Sequence, residues 1–165
     1  MSAMTEHAER AISAEQELAW RRYYQMQTQL LGVLNRELSQ ATGLSEADYE
    51  VLITIWQADG QAIRPREIRA ALIWEKSRLS HQLRRMEERG LVRRAACRED
   101  SRSSVIRLTA AGRKIIVDAE CARLRAVDDH LISVLSDRQL TALSSISQTV
   151  LEHLGIACRE HLDQE

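Results

Sequence analysis

Turn chemistry is scarce in this chain. One proline and six glycines in 165 residues leave too few reversal points for a β-sandwich or barrel, and a mostly α protein is expected instead. Long apolar runs are missing too. No stretch approaches the roughly 20 residues a membrane span requires, and Met1 to Arg10 lacks the apolar segment of a secretory signal, so a cytoplasmic protein with no membrane partner is expected. Cysteine is sparse: Cys97, Cys121 and Cys158 are odd in number and widely spaced, with no C-x-x-C pair, which fits reduced thiols rather than a disulfide framework or a zinc site. Enzyme signatures are lacking as well. His7, His81, His130, His153 and His161 show no H-x-x-x-H or H-E-x-x-H spacing, there is no G-x-S-x-G, and no glycine-rich loop follows a strand. No catalytic residue, metal site or cofactor is assigned, and Asp128-Asp129-His130 reads as a solvated helix face.

What is present begins with charge. The chain carries a net −1, but residues 61–114 hold fifteen Lys/Arg against six Asp/Glu, a local +9 that leaves −10 for the remainder. So dense a basic segment between acidic flanks points to nucleic acid as a partner. With 44% hydrophobic residues in 18.8 kDa, the chain is one domain able to bury a core without disulfides.

Periodicity organises the rest. Residues 1–12 read as a tail. From Ser13 to Ala41 apolar residues recur at helical spacing through Trp20, Tyr23, Tyr24, Leu30, Leu31, Leu34 and Leu38, ending near Gly43. Ser45 with Asp48 reads as a capping box and Leu44 with Tyr49 as a hydrophobic staple, predicting a helix over 46–58. Pro65 suits the first position of a short helix over 65–72. A fourth helix over 76–89 places Leu79, Leu83 and Met86 within about 60° of arc, facing a core. Its opposite arc carries Ser77, His81 and Arg84, flanked by Ser80, Arg78 and Arg85. Residues 91–97 and 103–108 read as two strands around the polar turn 98–102, a hairpin with cations at its tip. Thr109 is the expected cap of a long helix reaching about Leu135, some 40 Å. Ser136 and Gln139 open a last one with Leu140, Leu143, Ile146, Val150, Leu151 and Leu154 on one face.

Two helices joined by a short turn, the second with a polar outer face, and then a basic hairpin make a winged helix-turn-helix. A helix fits the major groove, where side chains reach base edges, and a hairpin beside it reaches the adjacent minor groove.

The chain also resembles the MarR family of bacterial transcription regulators. The matching stretches are Leu44-Ser45 through Tyr49-Glu50-Val51-Leu52, Ser77-Arg78-Leu79-Ser80 leading to Arg85-Met86-Glu87-Glu88-Arg89-Gly90-Leu91-Val92, and Asp100-x-Arg102 followed by Leu108-Thr109-x-x-Gly112. The run Trp74-Glu75-Lys76-Ser77-Arg78-Leu79-Ser80-His81 is similar to an actinobacterial subgroup. The resemblance implies a symmetric, triangular homodimer in which residues 13–43 and 113–165 form a helical dimerisation region and 44–112 the winged DNA-binding region. Apolar stripes on the first and last helices agree with a partner chain that covers them, against the alternative of a closed monomeric bundle. The partner would be a palindromic double-stranded operator.

On that resemblance Ser77, Arg78, Ser80, His81, Arg84 and Arg85 would enter the major groove, with arginine to guanine the leading contact; His81 suits a phosphate or plain surface equally. Arg102 would enter the minor groove with Asp100 fixing its direction. Arg64, Arg66, Arg94 and Arg98 would hold phosphates. Two switches are open. A small aromatic or lipophilic effector could enter beside Trp20, Tyr23, Tyr24, Tyr49 and Trp56, releasing a repressor from DNA, although aromatics at helical spacing are usually plain core. Alternatively Cys97, near Arg93, Arg94 and Arg98, could be oxidised, although the family's peroxide sensors carry their cysteine near the start of the first helix and this chain has none there. A protein-binding winged helix without DNA affinity is the third reading.

Overall fold

Ser13 opens the first helix by trading hydrogen bonds with Gln16: its Oγ accepts the Gln16 N–H at 3.2 Å, and the Gln16 amide oxygen takes the Ser13 N–H at 2.7 Å. The computed structural model describes residues 12–96 and 104–156. Helix α1 (Ala14–Thr42) closes on Gly43 at φ 70°, the left-handed conformation that favours glycine. The same capping logic opens α2 (Glu46–Trp56), where Asp48 takes the Ser45 N–H at 2.9 Å and the Ser45 Oγ accepts the Asp48 N–H at 3.2 Å.

After α2 the structure departs from the sequence reading. The helix stops at Trp56, not 58, and a 3-10 turn (Asp59–Gln61) leads into a two-residue strand, β1 (Ala62–Ile63), that no sequence pattern announced because two residues cannot show an alternation. Pro65 then starts α3 (Pro65–Leu72) as expected, and α4 (Lys76–Glu88) follows. Strands β2 (Val92–Ala96) and β3 (Ser104–Leu108) pair antiparallel from Val92↔Leu108 to Ala96↔Ser104, and β1 joins the other edge of β3 to give the order β1-β3-β2. The expected turn 98–102, with Cys97, lies outside the described residues.

Helix α5 (Ala110–Val127) is capped by Thr109, whose Oγ1 accepts the Gly112 N–H at 3.0 Å and donates to the Gly90 carbonyl at 2.6 Å. A Cβ on Gly112 would sit 2.0 Å from the Leu91 oxygen, so α5 lies against the start of the sheet only because residue 112 has no side chain. That contact is the physical content of the Leu108-Thr109-x-x-Gly112 pattern.

One core joins these elements. Leu44, Val51, Leu52 and Ile55 meet Ile68, Leu83, Met86, Ile106, Leu108 and Ile116, all fully buried, with Leu38 from the end of α1. Each such side chain contributes about 1.5–3 kcal/mol relative to exposure. The chain divides after Leu124 into a second unit. There the expected long regular helix is interrupted: residues Asp128–Ile132 form a π turn, with the Ser133 N–H reaching back to the Asp128 carbonyl at 2.9 Å. Helix α6 (Asp137–His153) opens as predicted, Gln139 taking the Ser136 N–H at 2.9 Å, and buries none of its residues.

Candidate nucleic-acid interface

Helix α4 shows its two faces as its spacing requires. Leu79, Leu83 and Met86 are buried, while Ser77, Arg78, Ser80, His81, Arg84 and Arg85 are all exposed. Its first turn holds no acid, and no side chain caps it. The leading N–H groups of the helix thus take no side-chain cap, with the acid nearest them Glu75 at the N-cap.

Around this face lie two recesses. One, of about 240 Å³, is bounded by Pro65, Arg66 and Arg69 of α3, by Lys76 and Ser80 of α4 and by Arg94 of β2. The other, of about 220 Å³, is lined by Ser77, Ser80, His81 and Arg84, so the two meet at Ser80. Arg69 and Lys76 are members that sequence reasoning missed. Their signal was available: Arg69 falls one turn after Arg66 on the same short helix, and Lys76 is the first residue of α4.

The cations of this region differ in what holds them. Arg94 pairs with Glu87, Nε to carboxylate, at 3.2 Å, and Arg66 lies 4.0 Å from Glu67. Glu67 also takes the Arg64 N–H at 3.0 Å. Arg89 donates to Asp48 at 2.7 Å. By contrast, Arg84 reaches His81 Nδ1 at 3.3 Å, and Arg85 donates to the side-chain oxygen of Gln82. Arg78 rests on the Trp74 ring, its guanidinium carbon 4.0 Å from the centroid. Neutral partners orient a guanidinium without cancelling its charge.

Beneath the face runs a buried polar relay. Gln82, only 3% exposed, donates to Asp48 Oδ1 at 2.7 Å and accepts from Arg85. Burial alone would raise the Asp48 carboxyl; hydrogen bonds from Ser45 and from Arg89 outweigh it and hold the group below its ordinary value. Gln82 was legible in principle, since it stands three residues after Leu79 and four before Met86, on the buried arc.

The remaining sequence candidates divide. Arg98, Asp100 and Arg102 lie outside the described residues. Trp20, Tyr23 and Tyr24 form an exposed group on α1, with ring centroids 5.8 and 6.1 Å apart. Tyr49 is instead buried on α2, its hydroxyl donating to Glu120 of α5 with Arg123 over its ring at 4.9 Å. Burial, and the Glu120 carboxylate that accepts its hydrogen bond, hold this phenol well above its usual value. Trp56 is half-buried against the core. Cys121 lies exposed on α5, and no helix among the described residues is long and apolar enough to cross a membrane.

Comparison with known proteins agrees with this fold. The MarR family model matches residues 44–104. The crystal structure of AbsC, a MarR family transcriptional regulator from Streptomyces coelicolor, is 32% identical, aligns over 88% of this chain and 97% of its own, and has a TM-score of 0.79. Sco3205, another such regulator from that organism solved in complex with DNA, is 30% identical over 88% of this chain and 91% of its own, with a TM-score of 0.78. A helix-turn-helix transcriptional regulator of Bacillus subtilis, YdgJ, is 25% identical over 70% of this chain and 69% of its own length.

Proposed function

The chain belongs to the MarR family of transcriptional regulators, proteins that are not enzymes, and from that premise we propose that it is a dimeric, sequence-specific DNA-binding regulator. The carrying observation is the exposed face of α4, where Ser77, Arg78, Ser80, His81, Arg84 and Arg85 stand clear of a fully packed core beside a recess edged by Arg66, Arg69, Lys76 and Arg94. A helix so presented fits the major groove, with its leading residues at base edges and the surrounding cations on phosphates. Arg64 joins the phosphate set, and Arg98, Arg102 and Asp100 are assigned to the wing on the family resemblance.

Dimerisation is argued from exposed apolar area. On α1, Trp20 is 57% and Tyr24 60% exposed; on α6, Ile146 is 63% and Val150 51% exposed. A second copy is the economical cover for such faces, and a two-fold dimer would read a palindromic operator with half-sites about 34–36 Å apart. In the simplest version the regulator is a repressor released by a small lipophilic molecule. The exposed Trp20, Tyr23 and Tyr24 group offers aromatic contacts, whereas Tyr49 and Trp56 are already engaged in packing. The redox alternative rests on Cys97, which lies outside the described residues, and no observation here favours it.

The test is binding to duplexes selected from a randomised pool by the full-length chain. The expected result is enrichment of a palindrome, a sedimentation mass of two chains, and log affinity that falls against log salt with a slope of about −0.9 per neutralised phosphate. Equal affinity for selected and scrambled duplexes at physiological salt would remove the claim of specific readout.

A further inference from the structure

Trp74 stands in the turn between α3 and α4, 8% exposed and part of the core. Four residues later, in the first turn of α4, Arg78 lays its guanidinium over that ring at 4.0 Å. All five guanidinium N–H groups lie in the plane of the group and point out from its edges, so a partner on its face fixes the plane and uses none of the donors. Among the described residues no acceptor takes a hydrogen bond from Arg78; the charged neighbour that feels it is Glu50 of α2, whose carboxyl is raised by burial and by Glu46 and eased back by Arg78 and Arg123. Arg84 and Arg85 lean on side chains of α4 itself, whereas Arg78 is braced from the turn that precedes the helix. A cation in a first helical turn is also opposed by the helix field, and the acids that temper it stand outside the turn, Glu75 at the N-cap and Glu50 on α2. The position disfavours the isolated helix and favours an arginine that meets an acceptor outside it.

We propose that Trp74 is a positioning residue for base recognition. It holds the Arg78 plane so that the free edge addresses a guanine through its O6 and N7 acceptors, a two-bond contact that requires coplanarity. The proposal rests on the DNA-binding reading above and adds to it a residue that need not touch DNA.

The experiment selects duplexes from a randomised pool with the full-length chain and its variants and compares base preferences position by position. Arg78→Ala should flatten the preference for guanine at one position in each half-site. Trp74→Leu should flatten the same position, by roughly two- to fivefold, the range expected for one exposed cation–π contact. Trp74→Phe, which restores an aromatic face, should recover most of it. In an Arg78→Ala background, Trp74→Leu should change nothing further. Trp74→Met replaces Trp74→Leu if the latter does not fold, and NMR relaxation at the Arg78 Nε should show the side chain freed in either variant. If Trp74→Leu weakens all sequences equally, or adds its full effect on top of Arg78→Ala, the tryptophan is plain core and the proposal fails. If the unaltered chain enriches no sequence, the DNA-binding reading fails first and takes this one with it.

Discussion

Asp48→Asn is the substitution that interrogates the relay under α4 with the least change of shape. Oδ1 remains to accept from Gln82 at 2.7 Å, but the amide that replaces Oδ2 turns donor toward donors: the Ser45 N–H at 2.9 Å, the Ser45 hydroxyl at 2.8 Å and the Arg89 guanidinium at 2.7 Å. A hydrogen bond to a charged group contributes about 1.5–3 kcal/mol and a capping interaction about 1 kcal/mol. Arg89 is 43% exposed and recovers water, so its share is discounted. The net loss expected is about 2–3 kcal/mol near neutral pH, or a fall in Tm of about 4–12 °C. Denaturant unfolding at a series of pH values measures it. Because the folded carboxyl titrates below its unfolded value, its contribution is complete above about pH 4 and fades as pH drops through the folded pKa. The gap between parent and variant should therefore narrow in acid. A loss under 0.5 kcal/mol, or a gap indifferent to pH, would show that the relay is ornamental.

Gly112→Ala should lower stability by at least about 1–3 kcal/mol, because its Cβ would lie 2.0 Å from the Leu91 oxygen and backbone must move to admit it; unchanged melting would mean α5 can shift freely. Replacing Cys97, Cys121 and Cys158 together by Ser should leave DNA binding and effector release intact, measured by fluorescence anisotropy of a labelled selected duplex. Release by peroxide that depends on Cys97 would favour the redox switch instead.

Much of this architecture was legible because it is written in short-range chemistry. Ser45 with Asp48, and Ser136 with Gln139, announce helix starts through hydrogen bonds that span three residues, and Pro65 announces another through its fixed φ. The outward arc of α4 followed from the placement of Leu79, Leu83 and Met86. What stayed hidden depends on longer range or on exceptions to pattern. β1 exists because β3 offers it an edge, and no local signal marks a two-residue strand. The π turn at Asp128–Ile132 inserts into a sequence whose apolar spacing still reads as helix. Gln82 was passed over because its amide reads as surface, although its position does not; only Asp48, 34 residues away, explains why it is buried. The partner of Tyr49 was hidden for the same reason, since helical spacing says that Tyr49 faces inward but not that Glu120 takes its hydroxyl.

The basic segment shows how an inference from charge can rest on an overcount. Fifteen cations between residues 61 and 114 suggest a nucleic-acid surface, yet some of them already have acidic partners within the chain. Arg89 answers Asp48 and Arg94 answers Glu87, each beside a carboxylate that offsets its charge, whereas Arg107 and Arg113 donate to the backbone carbonyls of Gly60 and Leu108 at 3.2 and 3.1 Å, which fix their direction and leave the charge in place. Net charge cannot separate these from the rest, because the sum is blind to partners. The cations gathered at the reading face are fewer and more telling: Arg66, Arg69, Lys76 and Arg84 edge the two recesses that meet at Ser80, and Arg78, Arg84 and Arg85 lean on an indole, an imidazole and an amide. The salt slope of DNA binding should accordingly count phosphates met by this reduced set and the wing, well short of fifteen per chain.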